Sequence, residues 1–264
     1  MSHAMNVKAN GISFNCQIEG REGAPWVAFS NSLMTNLSMW DDQAAALKNE
    51  FRVLRYDQRG HGGTDAPQGP YTFEMLAADV IGLFDALKIA RAHFVGLSMG
   101  GMTAVLLAQK YADRFDKVVA CDCGPASTPQ SAQQWDERIA TAKTGGMQAL
   151  VDSTIARWCP PDFVAANKPA TDRLRQMIRT TPLNGFVGCA QALSNYDLRP
   201  GLADINRPML FVCGTKDAAL PGAKGFHAAV KGSKMVEVEG AGHISNVEQP
   251  EFFTAAVKDF LQPR

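Results

Sequence analysis

Ser98 stands between glycines in the segment VGLSMGGMTA, where an apolar run gives way to a helical pattern. The run AHFVGL predicts a strand and the following MTAVLLAQKYA predicts a helix, so the serine falls on a strand-to-helix turn. Glycines at positions 96, 100 and 101 allow that turn to be tight. The positive end of the helix favours an anion that develops at the serine. Ser98 is therefore a candidate nucleophile, although the G-x-S-x-G pattern alone is common.

A serine hydroxyl needs a base within hydrogen-bond reach and an acid that orients the base. Among the five histidines, His243 follows the strand pattern KMVEVE and precedes the last helix, which predicts a loop at the carboxyl edge of the sheet. His93 begins a strand and lies at the opposite edge, whereas His61, in DQRGHGGTD, is predicted to shape the site. Asp217 comes four residues beyond a buried strand, and Asp122, which ends KVVACD, is the alternative acid.

The three candidates occur in the order Ser98, Asp217, His243, which is the order found in α/β-hydrolases. A tetrahedral intermediate also needs two hydrogen-bond donors for its oxyanion. The N–H of Met99 directly follows the nucleophile, and Leu33, in the loop SNSLMTNLSMW, is predicted to provide the second donor. Together these residues predict acyl transfer to a serine.

The elements that must position these side chains are visible as short segments that are apolar throughout, a pattern typical of strands buried in a parallel sheet. Helical patterns separate them, including FEMLAADVIGLFDAL and a closing helix over residues 253–261, and the opening segment predicts a hairpin at Asn10-Gly11. Repeating strand-helix units predict a doubly wound, mostly parallel α/β sheet. The predicted strands are Trp26 to Phe29, Arg52 to Tyr56, His93 to Leu97, Lys117 to Cys121 and Met209 to Cys213.

The strand-helix rhythm stops after Cys123. Residues 127–199 show no convincing strand and contain the helix-like stretches SAQQWDERIATA, GGMQALVDSTIARW and ATDRLRQMIRTT, separated by glycine and proline signals. We interpret this segment as a helical cap insertion. The predicted organisation is a first core part over residues 1–126, the cap over 127–199 and a second core part over 200–264.

The equal numbers of basic and acidic residues argue against partners that bind through long-range electrostatic attraction. Lysine and arginine number 26, as do aspartate and glutamate, which argues against nucleic acid and anionic membranes. The opening MSHAMNVKAN lacks the features of a secretory signal, and no stretch approaches ~18 apolar residues. We therefore expect a cytoplasmic enzyme that acts on a small ester or lactone, and a homo-oligomer is left open.

The six cysteines are scattered through the chain rather than spaced as metal ligands. The close pair Cys121-x-Cys123 has neither a second pair nor a histidine cluster near it. We expect buried, reduced thiols that pack as small apolar side chains. Neither a metal nor a cofactor is predicted, since a serine mechanism requires neither.

Five segments of the chain resemble the 3-oxoadipate enol-lactonases of the α/β-hydrolase superfamily. These segments are SNSLMTNLSMWDDQ, FRVLRYDQRGHGGTDAPQGPYT, AHFVGLSMGGM, DLRPGL and GAGHISNVEQPEFF. The resemblance implies cofactor-independent hydrolysis of an enol-lactone that carries a carboxymethyl group. Such a substrate needs a cation, and Arg157 beside Trp158 in ARWCPP matches a similar Arg-Trp pair of the family. The alternative for Arg157 is an exposed helix arginine.

Two positions near the predicted oxyanion loop depart from that family. Met34 stands where the family usually has glycine, and Asn36 stands where it usually has aspartate. These departures leave other functions on the same scaffold open: a carboxylesterase, another lactonase or a hydrolase of carbon-carbon bonds. A catalytically silent ligand-binding protein is a further alternative, because a fold does not determine a function.

Overall fold

The structure, a computed structural model, describes residues 3–262. Within this range the strands form one sheet in the order β1-β2-β4-β3-β5-β6-β7-β8, in which β2 runs antiparallel to both neighbours and the other pairs are parallel. The strands are β1 (His3–Ala9), β2 (Ile12–Gly20), β3 (Trp26–Ser30), β4 (Arg52–Tyr56), β5 (Ala92–Leu97), β6 (Phe115–Cys121), β7 (Met209–Gly214) and β8 (Lys234–Val238).

The sheet agrees with the predicted doubly wound α/β fold. Each predicted apolar run lies in a strand, and β5 and β7 are buried along their whole length, as continuous apolar runs require. The predicted hairpin joins β1 to β2, where Asn10 and Gly11 have φ values of 44° and 80°. The exact ends differ little: β6 begins two residues before the predicted Lys117.

Helices connect and cover the strands. Helices α2 and α3 pack together beside the sheet, and α1 packs with α11. The helices are α1 (Asp41–Leu47), α2 (Phe73–Ala86), α3 (Met99–Lys110), α4 (Pro129–Gly145), α5 (Val151–Trp158), α6 (Pro161–Ala166), α7 (Lys168–Thr180), α8 (Leu183–Ser194), α9 (Leu220–Ala229), α10 (Ser245–Glu248) and α11 (Pro250–Leu261). None of those in the described range is long and apolar enough to cross a membrane.

Five of these helices, α4 to α8, follow one another between β6 and β7 and form the cap. A single bridge between Ala126 and Asp197 pairs the chain where it enters and leaves this segment. Helix α4 begins with a capping box, in which the Thr128 and Ser131 side chains each accept from the other residue's backbone N–H. The predicted helical stretches coincide with α4, α5 and α7, whereas α6 and α8 are additional.

All six cysteines are buried and unpaired, as predicted. The carboxyl ends of β3, β5, β6 and β7 lie at one edge of the sheet, because these neighbouring strands are parallel. The loops that follow them contain, in strand order, Leu33, Ser98, Asp122 and Asp217. The sheet topology therefore gathers the candidate catalytic residues at one edge.

Candidate active site

Ser98 lies on a sharp turn between β5 and α3, with φ 55° and ψ −113°. A serine is rarely found at such a φ, so the turn must be held by its surroundings. The flanking glycines explain how: a Cβ on Gly96 would come within 1.9 Å of the Gly100 carbonyl oxygen, and one on Gly100 within 2.3 Å of the Ser30 carbonyl oxygen. The G-x-S-x-G pattern is thus required by close backbone approach, and the turn presents the serine hydroxyl at the sheet edge.

Ser98, His243 and Asp217 form a continuous hydrogen-bonded chain. Ser98 Oγ lies 2.9 Å from His243 Nε2, and His243 Nδ1 lies 2.9 Å from Asp217 Oδ2. The other Asp217 oxygen accepts the Ala219 N–H at 3.0 Å. This arrangement directs an Nδ1 proton to Asp217 and leaves Nε2 to accept the serine proton.

The electrostatics of the chain suit a base. Burial opposes ionisation of Asp217, but the charge of His243 and the hydrogen bond between them outweigh it and hold the pKa of Asp217 below its ordinary value. Burial likewise disfavours the charged form of His243, yet Asp217 raises the pKa of this histidine above 6.5. An ionised Asp217 beside the ring therefore favours the charged form of His243, as a base that accepts a serine proton would require.

The loop that carries His243 is held by groups that the sequence did not reveal. The buried Glu248 carboxylate accepts the N–H groups of Gly242 and Ile244 at 2.8 and 3.1 Å, on either side of the histidine. The His243 N–H donates to the Trp158 carbonyl at 2.7 Å, and the Trp158 ring stacks beside the imidazole at a centroid distance of 6.4 Å. The cap residue Trp158 thus contacts His243 and also lines the cavity.

The loop after β3, which contains the predicted donor Leu33, is held in place by a buried histidine. Met34 has φ 60°, and its N–H donates to Nε2 of the buried His61 at 2.9 Å. Burial lowers the pKa of His61 to about 4, so the ring is neutral, and its Nδ1 lies 3.1 Å from the Arg59 carbonyl oxygen, which accepts the proton. Leu33 lines the cavity. Met99 is the first residue of α3, where the N–H has no acceptor within the helix.

Asn36 has a local structural role. Its side chain caps a short 3₁₀ helix at Leu37–Trp40 by accepting the N–H and the hydroxyl of Ser38, at 3.0 and 2.7 Å. Aspartate and asparagine are about equally good N-cap residues, so either of them can cap this helix. Met34 differs, because its side chain lines the cavity that also contains Ser98.

A cavity of about 380 Å³ lies between the cap and the sheet edge and contains Ser98, Asp217 and His243. Its cap side includes Arg157 and Trp158, the two residues predicted to bind the substrate, and in addition Trp135 and Arg138 of α4, which the sequence did not indicate. Trp135 and Arg138 are three residues apart, which places them on the same face of a helix, and this spacing is the sequence feature that could have indicated them. The volume suits a small organic molecule.

Both arginines lie against the same aromatic ring. The guanidinium carbons of Arg138 and Arg157 are 5.5 and 5.7 Å from the centre of the Trp135 ring. Arg138 donates to Thr154 Oγ1 at 2.7 Å, but its buried Nε has no hydrogen-bond partner. Burial and the neighbouring charge of Arg157 lower the pKa of Arg138 to about 10. Within residues 3–262 neither guanidinium forms an ion pair, so this part of the cavity suits an anion.

Asp122, the alternative acid, is not hydrogen-bonded to His243. Its side chain is fully buried and binds Gly214 and Ser245 instead. Ligand atoms of Asp122, Cys213 and Asp217 lie within 4.8 Å of one another, the one group of this kind in the described chain that could approach a metal ion. The oxygens of both carboxylates already accept hydrogen bonds from backbone or side-chain donors. Hydrogen bonds therefore already occupy the oxygens that this group would offer to a metal ion.

Comparison with known proteins defines the class. The profile of the α/β hydrolase fold matches residues 25–250, and the chain belongs to that family. It is 36% identical to 3-oxoadipate enol-lactonase 2 of Acinetobacter baylyi over 255 residues, which is 96% of this chain and 95% of the relative. The predicted resemblance, the fold and the assignment as an ester hydrolase are confirmed.

Solved structures give the same result. The enol-lactonase from Burkholderia xenovorans LB400 superimposes with a TM-score of 0.94 at 42% identity and covers 97% of this chain and 99% of its own. A thermophilic esterase from Thermogutta terrifontis superimposes with a TM-score of 0.91 at 26% identity, with 98% of each chain covered. Lactonases and esterases thus share this scaffold, and the substrate must be argued from the cavity.

Proposed function

We propose that this chain hydrolyses a small enol-lactone that carries a carboxylate, through an acyl-enzyme on Ser98. The observation that carries the proposal is the pair of arginines, Arg138 and Arg157, in the same cavity as the hydrogen-bonded Ser98, His243 and Asp217. A cavity of this size accommodates one small ring and a short acidic arm, and a carboxylate on that arm supplies the anion that the two guanidinium groups lack.

In the first half-reaction, His243 Nε2 takes the Ser98 proton while Oγ forms a bond to the lactone carbonyl carbon. The negative charge on the carbonyl oxygen is stabilised by the N–H groups of Leu33 and Met99. The ring C–O bond then breaks, and the leaving oxygen departs as an enolate that stays tethered to the acyl group. An enolate is a better leaving group than an alkoxide, so little general acid assistance is needed to break this bond. The His243 imidazolium then gives its proton to the enolate, which becomes the ketone, and His243 is neutral again.

In the second half-reaction, His243 removes a proton from water, and the resulting hydroxide attacks the acyl carbon. The bond between that carbon and Ser98 Oγ breaks, the serine regains its proton from His243, and the open-chain keto acid leaves. Asp217 remains ionised throughout and fixes the imidazole tautomer. Two contacts of 2.9 Å support this series of steps: His243 Nε2 with Ser98 Oγ, and His243 Nδ1 with Asp217 Oδ2.

The test compares substrates on the wild-type protein and on Ser98→Ala. We expect a higher kcat/KM for an anionic enol-lactone than for a neutral lactone of equal size, and an acyl adduct on Ser98 in acid-quenched samples by mass spectrometry. Ser98→Ala should lose about 10⁴- to 10⁶-fold in rate. The matched control is Ser233→Ala, which removes a hydroxyl outside the cavity. Turnover by Ser98→Ala near the wild-type rate would refute the serine mechanism.

A carboxylesterase is the second candidate, and Met34 is the observation that favours it. Its buried side chain takes space in the cavity beside the oxyanion loop, where the enol-lactonases usually have glycine. Preference of the wild-type enzyme for the neutral substrate would select this function. Acyl-enzyme formation on Ser98 is common to both candidates, so substrate preference alone separates them.

A further inference from the structure

A second buried carboxyl group adjoins the triad without touching the catalytic histidine. Asp122 directly follows β6, has φ 50° and is fully buried. One of its oxygens, an Asp217 oxygen and the Cys213 sulfur lie within 4.8 Å of one another. Placing two carboxyl groups so close in a buried site is costly unless a positive charge or several hydrogen bonds compensate. The arrangement therefore calls for a function.

The hydrogen bonds of Asp122 connect the two loops that carry its triad neighbours. Oδ1 accepts the N–H of Gly214 at 2.9 Å, and Gly214 ends β7 three residues before Asp217. Oδ2 accepts the hydroxyl of Ser245 at 2.5 Å and its N–H at 3.4 Å, two residues after His243. The Asp122 side chain thus links the start of the loop that carries Asp217 to the end of the loop that carries His243.

The groups that face Asp122 determine what its charge can do. Asp217 and Cys213 face it from β7 and the following loop, His243 faces it from the loop before α10, and the thiols of Cys121 and Cys123 flank it along the chain. Burial first, and the charge of Asp217 second, raise the pKa of Asp122 to about 7, and burial also raises the pKa of the three thiols. Among these groups only His243 can carry a positive charge, and this charge lowers the pKa of Asp122.

We propose that Asp122 is a positioning residue for the triad: its carboxylate ties the Asp217 loop to the His243 loop and adds a second negative charge beside the imidazolium. This inference rests on the proposed serine mechanism, and it is independent of which ester or lactone is the substrate. It assigns to Asp122 a role that is distinct from that of Asp217, which alone contacts the imidazole Nδ1.

The test measures how fast a fluorophosphonate probe inactivates Ser98 as a function of pH, in the wild-type protein, Asp122→Asn and Asp122→Ala. Asparagine keeps the size of the side chain and removes its charge. Because the charge of Asp122 raises the pKa of His243, we expect Asp122→Asn to move the acid limb of the pH profile to lower pH. Its plateau rate should fall about three- to tenfold, because only part of the hydrogen bonding survives.

Asp122→Ala breaks the link between the loops, so its plateau rate should fall at least about fivefold further than that of Asp122→Asn. The matched control is Asp79→Asn, which removes a buried carboxylate that pairs with Arg59 away from the cavity. This control should leave the midpoint of the acid limb unchanged. Thermal unfolding of each variant shows whether the fold is retained.

The outcomes are distinct. An acid limb of Asp122→Asn that coincides with that of the wild type overturns the inference, even if the plateau rate falls, because a merely structural role lowers the rate at every pH. A wild-type plateau in folded Asp122→Ala also overturns it. If Asp122→Ala does not fold, the acid limb of Asp122→Asn decides. Failure of the probe to label Ser98 in the wild-type protein refutes the proposed serine mechanism instead.

Discussion

The anion site in the cap gives the sharpest test of substrate class. We expect Arg138→Gln and Arg157→Gln each to raise KM for an anionic enol-lactone and to leave a neutral ester of equal size nearly unaffected. A hydrogen bond to a charged group contributes roughly 1.5–3 kcal/mol, which corresponds to a loss of about ten- to a hundredfold in kcat/KM. Both arginines lie over one Trp135 ring, so the double variant should lose more than either single variant.

The pH range of the assay follows from the structure. The pKa of Arg138 is lowered to about 10, so this guanidinium remains charged at pH 7 to 8, and KM for the anion should be constant there and rise only as the pH approaches 10. The measurement is steady-state kinetics with both substrates at each pH. The matched control is Arg179→Gln, an exposed arginine of α7 that donates to Gln148 outside the cavity.

Two results would refute the reasoning. Equal losses for the anionic and the neutral substrate would mean that the arginines support the cap through Trp135 and Thr154 rather than bind a carboxylate. No loss for either substrate would mean that neither arginine has a role in substrate recognition. If the wild-type enzyme also preferred the neutral ester, the enol-lactonase assignment would give way to the esterase.

Four further outcomes follow from the site. Asp217→Asn should lower kcat on the order of 10⁴-fold, far more than Asp122→Asn does. If Asp122→Asn lowers kcat more in the same kinetic assay, Asp122 is the residue that orients His243. Because the pKa of His243 is raised, the acid limb of kcat/KM should have its midpoint above 6.5, and a pH profile with a lower midpoint contradicts this. EDTA should leave activity unchanged, and loss restored by zinc would reveal a metal requirement. Met34→Gly should enlarge the cavity and raise kcat/KM for bulkier esters, whereas an unchanged substrate profile would show that Met34 has no part in selectivity.

The sequence allowed the sheet and the triad to be predicted because both depend on local patterns and chain order. Ser98 and Asp217 each follow a run of apolar residues, and such runs are typical of strands in a parallel sheet whose carboxyl ends share one edge. His243 lies between the last strand and the last helix, at the same edge. The pairing of these three residues therefore required no knowledge of distant packing.

The cap was harder to predict, because its glycines serve packing rather than turns. Helix α8 contains Gly185 and Gly188, which would ordinarily lower its helical propensity. A Cβ on Gly185 would come within 1.9 Å of the Gly60 carbonyl oxygen, and one on Gly188 would meet the Tyr71 ring at 2.8 Å. Tertiary contact with the core thus determines these residues, and no pattern within the cap itself indicates that contact.

The sequence does not indicate the positions of Arg138 and Asp122 in the site, for a related reason. Arg138 lies on a polar, largely exposed helix. It lines the cavity only because α4 packs over the carboxyl edge of the sheet. The sequence indicates Asp122 only as the alternative acid to Asp217. Its two hydrogen-bond partners, Gly214 and Ser245, are 92 and 123 residues away along the chain, so no local pattern reveals them. Roles that depend on such contacts require the assembled structure.

Met34 departs from the enol-lactonase pattern at a position that lines the cavity, while Ser98, His243 and Asp217 remain hydrogen-bonded. A side chain at φ 60° costs about 1–2 kcal/mol relative to glycine. That cost is met because His61 accepts the Met34 N–H and the Asn31 amide donates to the carbonyl oxygens of Ser32 and Thr35. The backbone around Leu33 is therefore held in place whether residue 34 is glycine or methionine. What differs is the side chain in the cavity, so we expect residue 34 to affect substrate choice through the shape of the cavity and not through the triad.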